Sequence, residues 1–108
     1  MVLSVRQQSR FVRMVAVLIL YAYELGYELT FGDAYAGGGI GHIPGSFHGK
    51  RLAVDFNLFR DGEYLTRTDD HRPLGEFWES LGGTWGGRWG DGNHYSLGEK
   101  AVDRVGGV

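Results

Sequence analysis

Apolar residues recur at helical spacing between Val5 and Leu25, at Phe11, Val12, Val15, Ala16, Leu18, Ile19, Ala22 and Tyr23, and this period predicts the main helix of the chain. Ser4 stands where an N-cap is expected and Gly26 where the helix should stop. The run Met14 to Tyr23, preceded by Arg10 and Arg13, has the outline of a signal peptide or membrane anchor. A bilayer span, however, needs about 20 apolar residues, and Tyr23-Glu24-Leu25-Gly26-Tyr27 offers no small-residue cleavage site. The expectation is a helix of the folded domain, no cleavable signal peptide and no stable membrane insertion.

Further along the period changes. Glu28-Leu29-Thr30-Phe31 is a short strand candidate. From Leu52 to Leu58 the even positions Leu52, Val54, Phe56 and Leu58 are apolar and the odd positions Ala53, Asp55 and Asn57 are small or polar, the alternation of a half-buried strand. Asp55 therefore points away from the core. Asp61-Gly62 between two apolar-bearing segments predicts a hairpin and hence antiparallel pairing. Thr68-Asp69-Asp70-His71-Arg72-Pro73 supplies capping side chains and a first-turn proline for a second helix through Leu81, closed by Gly82-Gly83. These elements predict an α+β domain, with an N-terminal helix and a shorter helix packed on a small antiparallel sheet.

Composition narrows the chemistry. At 108 residues the chain is expected to form one domain, 1–108, with 98–108 as a flexible polar tail. It has no cysteine, so any metal must be held by His, Asp or Glu. The formal net charge is -2 and the basic residues are scattered, which argues against a nucleic-acid partner; a monomer is expected. Glycine, 19 residues in all, concentrates at 37–49 and 82–92, as tight loops around a site would require.

Two stretches carry candidate chemistry, Ser46-Phe47-His48-Gly49-Lys50-Arg51-Leu52-Ala53-Val54-Asp55 and Asp91-Gly92-Asn93-His94. Two imidazoles and one carboxylate, His48, His94 and Asp55, are a common protein contribution to catalytic zinc, since three ligands leave a fourth position open. By spacing alone, a lone His or a lone strand Asp is more often a surface or hydrogen-bonded structural residue than a ligand. His48 lies an odd number of residues before Asp55, so a straight strand would separate the two side chains; a bend at Gly49 would bring His48 round. His42, before Pro44-Gly45, competes with His48 for the metal. His71 reads as a solvated or capping residue, with Asp69 and Asp70 beside it as a weak adventitious metal site.

Ser46-x-His48, Ala53-x-Asp55 and an acidic residue three before His94 resemble the zinc D-alanyl-D-alanine carboxypeptidase and dipeptidase family. The phage branch of L-alanyl-D-glutamate endopeptidase endolysins is the most similar, because its acidic-x-x-His ending is followed by an aromatic. The resemblance runs from about Ser4 to Leu97. It implies a Hedgehog/D-Ala-D-Ala-peptidase-like fold, zinc on His48, Asp55 and His94, and Asp91 as general base. It also implies Ser46 as a hydrogen-bonding support rather than a nucleophile, and action on the peptide stem of cell-wall peptidoglycan. The favoured bond is L-alanyl-D-glutamate, with D-alanyl-D-alanine termini second. Trp85, Trp89 and Tyr95 read by default as core aromatics, and the second reading of Trp89 and Tyr95, beside the site, is a wall against which the peptide stem lies. Two departures stand out: Ala36 where the family carries an arginine, and Arg51 where many relatives have glycine. Arg51 or Arg88 is the candidate replacement for the missing cation. The rivals are a zinc-keeping wall-binding module, as in Hedgehog-type relatives, and a metal-free scaffold.

Overall fold

The structure, a computed structural model, describes residues 3–32 and 52–98. Helix α1 spans Leu3–Glu24 and buries Gln7, Phe11, Met14, Leu18 and Ala22, a stripe whose steps of three and four residues keep it on one face. Ser4 lies inside the first turn and is not the cap. At the other end Gly26 takes φ 88°, as expected of a stop, and Tyr27 N–H donates to Ala22 O at 3.0 Å while Gly26 N–H donates to Tyr23 O at 3.1 Å. That pair of bonds is a Schellman closure. Among the described residues no helix is long and apolar enough to cross a membrane.

The five strands are β1 (Glu28–Phe31), β2 (Ala53–Arg60), β3 (Glu63–Leu65), β4 (Thr84–Trp85) and β5 (His94–Ser96), with helix α2 (Arg72–Ser80) between β3 and β4. All pairings are antiparallel and the order is β1-β2-β5-β4, with β3 also on β2. The architecture is the predicted α+β one. Strand β2 follows its alternation: Val54, Phe56 and Leu58 are buried whereas Asp55 and Asn57 are half-buried on the opposite face. The Asp61-Gly62 turn has φ 52° and 80° at its two residues, both positive as a type I′ hairpin demands.

Two indoles tie the layers together. Trp78 of α2 meets Phe11 of α1 edge-on at 5.8 Å and Tyr95 of β5 edge-on at 6.0 Å, and its Nε1–H donates to Ser96 O at 2.8 Å. Trp85 is fully buried and donates to Gly92 O at 2.7 Å. A buried indole N–H left without an acceptor would be costly, so these bonds dictate where the chain of β5 and the loop before it can lie.

The entrance to α2 departs from expectation. A short 3₁₀ turn, Thr68–His71, precedes the helix, and the Asp70 carboxylate caps it by accepting from Arg67 N–H at 2.9 Å. His71 is not solvated: it stands at the N-cap position of α2 without a side-chain cap bond, only 3% of it is exposed, and its Nδ1 lies 2.7 Å from the Tyr95 hydroxyl. His71 sits three, four and seven residues before the buried Leu74, Gly75 and Trp78, the core stripe of α2 carried back one turn. Tyr95 takes the core reading and not the cleft-wall one. It is fully buried, so it cannot wall a cleft, because β2–β5 pairing sets it opposite Val54 on the core face. Gly98, expected in the tail, is buried against Thr84; residues 99–108 lie outside those described.

Burial lowers the His71 pKa from 6.5 to about 4, with the Asp70 charge opposing the shift. An unfolded histidine binds its proton near 6.5. Between pH 6.5 and 4 the unfolded state therefore carries a proton that the folded state refuses, and stability falls as pH falls through this window. At pH 4.5 the loss should be about 2–3 kcal/mol. Urea unfolding at pH 7 and 4.5 should show this loss in the wild type and a smaller one in His71→Asn; equal losses would contradict the assignment.

Candidate active site

The residues that predict chemistry meet across β2 and β5. Phe56 N–H donates to Asn93 O and Leu97 N–H to Leu52 O, so the hydrogen-bonded positions of this pair of strands are the even residues of β2. Asp55 and His94, directly opposite in the register, therefore occupy a non-hydrogen-bonded pair, where facing side chains approach most closely. Asp55 Oδ1 and His94 Nδ1 lie 3.2 Å apart, with 23% and 15% of the side chains exposed. On the other edge Gly32 N–H donates to Asp55 O at 2.8 Å, and a Cβ on Gly32 would stand 3.3 Å from Asp55 Cβ. Glycine there keeps the space beside the carboxylate clear.

Asp91 is positioned by the loop that leads into β5. The 3₁₀ turn Gly86–Trp89 ends at Gly90 in the left-handed conformation. Asp91 N–H then donates back to Gly86 O at 2.9 Å and Asp91 O accepts from His94 N–H at 3.2 Å. A side chain at Gly86 would strike Asp91 O at 2.3 Å and His94 Cβ at 2.8 Å. Thr68 holds the loop from outside, donating to Gly90 O at 3.1 Å and accepting from Gly92 N–H at 3.3 Å. The carboxylate of Asp91 is thus carried, exposed, on a turn fixed at both ends.

Trp89 is 58% exposed with its ring 6.0 Å from that of His94, which suits the expected wall. Arg88 is not available as the missing cation: Glu79 of α2 binds it through two bonds of 2.6 and 2.9 Å, and this pairing also holds the Glu79 pKa below its usual value. Ala36, His42, Ser46, His48 and Arg51 lie outside the described residues.

The donor set suits zinc. Two ligand atoms about 2.0–2.2 Å from a tetrahedral ion stand roughly 3.3 Å from each other, and the 3.2 Å between Asp55 and His94, which is also a direct hydrogen-bond distance between them, is compatible with that spacing. Among the described residues no three His, Cys, Asp or Glu side chains are grouped for a metal, so a third ligand has to come from beyond them. His48 is the residue that the Ser-x-His spacing offers. Fold reading alone missed the His71–Tyr95 pair; the helical offset from His71 to Leu74 and Trp78 was the available signal.

A family model described as D-alanyl-D-alanine carboxypeptidase matches residues 41–97, more than half of the chain. The span contains His48, Asp55, Asp91 and His94 and leaves α1 and β1 outside, so the match carries the resemblance from residue 41 and not from Ser4. No curated protein matches the chain.

If Asp55 and His94 both hold zinc, Asp55→Asn and His94→Ala should each lower its affinity by more than about 100-fold, because one lost ligand leaves the site incomplete. Competition with a chromophoric chelator measures this. Wild-type affinity in either variant would remove that residue from the ligand set.

Proposed function

Because the chain belongs to the D-alanyl-D-alanine carboxypeptidase family, we propose that it is a zinc peptidase that cleaves the peptide stem of bacterial peptidoglycan at the L-alanyl-D-glutamate bond, in the manner of phage endolysins. The carrying observation is the Asp55–His94 pair, facing each other across two strands at ligand spacing, with Asp91 on a pinned turn three residues before His94. His48, Asp55 and His94 would hold the ion. Zinc, when bound, polarises the scissile carbonyl and makes water more acidic.

The chain's own residues supply the rest. Asp91 takes the proton of the attacking water on its carboxylate and returns it to the leaving amine, a transfer that needs an ionised carboxylate within hydrogen-bond reach. The rigid turn keeps it there. Trp89 offers an apolar face beside His94 along which the stem can lie. Cleavage at free D-alanyl-D-alanine termini uses the same groups. A wall-binding module of low activity is the reading favoured by Ala36 and by the engagement of Arg88 with Glu79, since an oxyanion-stabilising cation typically contributes about 3–4 kcal/mol. The protein would act on the cell wall as a monomer.

Digestion of purified peptidoglycan, with and without chelator, should release new stem ends visible by mass spectrometry, and chelation should abolish them. Asp91→Asn should keep zinc and fold while turnover falls about 10²–10⁴-fold. Equal cleavage by this variant would overturn the role of Asp91. Sacculus binding without cleavage by the zinc-loaded wild type would establish the binding module instead.

A further inference from the structure

Beside the Asp91 turn lies a pocket with an almost wholly polar wall, bordered by Asn57, Tyr64, Thr66, His71, Asp91 and Asn93, with a volume of about 190 Å³. That is below the usual size of ligand pockets, enough for one residue of a peptide and not for a chain. His71 is its unusual member, being almost fully buried yet part of the wall.

The tautomer of His71 follows from its partner. The Tyr95 hydroxyl is fully buried, and its one hydrogen-bond partner among the described residues is His71 Nδ1, at 2.7 Å. A buried hydroxyl must place its proton on an acceptor, so Nδ1 accepts and the imidazole proton sits on Nε2. Burial keeps the ring neutral. Nε2–H has no partner among the described residues, and His71 is one of the residues that border the pocket.

We propose that this pocket is a peptide subsite in which His71 Nε2–H donates to a main-chain carbonyl oxygen of the substrate, next to the bond that Asp91 serves. The inference rests on the peptidase reading for the identity of the peptide. Charge selects a carbonyl over a carboxylate: the one cation bordering the pocket, Arg67, is paired with Asp70 at 3.3 Å, while Asp91 contributes a negative charge to the wall. A neutral donor beside an anion favours a neutral acceptor. Tyr95 acts at one remove, as a positioning residue that holds the ring and its tautomer.

His71→Asn tests this, because the Asn Oδ1 can replace Nδ1 as acceptor for Tyr95 while the donor is withdrawn from the pocket. With soluble stem peptide, KM should rise about tenfold and kcat should stay within about threefold, the signature of a lost ground-state contact. In the wild type, the same peptide should shift the ¹⁵N resonance of His71 Nε2, a measurement that does not depend on the variant folding. An unshifted resonance, or an unchanged KM in a folded His71→Asn protein, overturns the subsite. If the resonance shifts while the wild type cleaves nothing, the subsite stands and the peptidase reading falls. Cleavage with an unmoved resonance gives the reverse result.

Discussion

Strand β2 has to serve three neighbours at once, β1, β3 and β5, and its pairing with β5 is the constraint on which the rest depends. Val54 and Tyr95 face each other on the core side, and one residue further along each strand Asp55 and His94 face each other on the other side. The side-chain period of a strand is two, so a slip of one residue would carry Tyr95 out of the core and break the facing Asp55–His94 pair together. The packing of Tyr95 against Trp78 and Phe56 thereby holds the register of that pair. The same apolar contacts that stabilise a small domain also set a polar distance on its far face.

The loop from Gly86 to Asn93 obeys a second constraint, the satisfaction of buried donors. Trp85 must find an acceptor for its indole N–H and finds it at Gly92 O; Thr68 spends both its donor and an acceptor lone pair on the same loop. Three attachments in a few residues leave the turn little freedom, which is what a base needs if it is to meet its proton without reorganisation. Arg88 shows the complementary case. Its guanidinium lies 5.3 Å from the Trp85 ring and is bound by Glu79, so its position in sequence near the site does not make it a group of the site.

Much of this was legible in the chain because the signals were local. Helical spacing located α1, strict alternation located β2 and the outward aim of Asp55, and Asp61-Gly62 located the hairpin. Strands β4 and β5 are two and three residues long, too short for any period to show, and their existence depends on pairing with distant residues. Tyr95 keeps two readings in the sequence for that reason, core and cleft wall, and the strand decides for the core: its neighbour His94 is on the site face, and in a strand adjacent side chains point to opposite faces. His71 was misread because charged neighbours, Asp69, Asp70 and Arg72, suggested solvent, whereas its offset from Leu74 and Trp78 places it on the core stripe.

The proposed ligands and the proposed base arise from different kinds of structure, and this separates their tolerances. Asp55 and His94 are fixed by strand pairing, a cooperative feature shared with the core, so a change that loosens them also loosens the fold. Asp91 is fixed by a turn whose contacts are hydrogen bonds to Gly86 and the close approach that a glycine there permits. A side chain at position 86 would displace the carbonyl of Asp91 and press on His94 Cβ, yet it would leave the β2–β5 register intact, since Val54 and Tyr95 remain packed. Asp91 can therefore drift away from the Asp55–His94 pair without the domain unfolding, and the geometry of the proposed site is less robust than the fold that carries it.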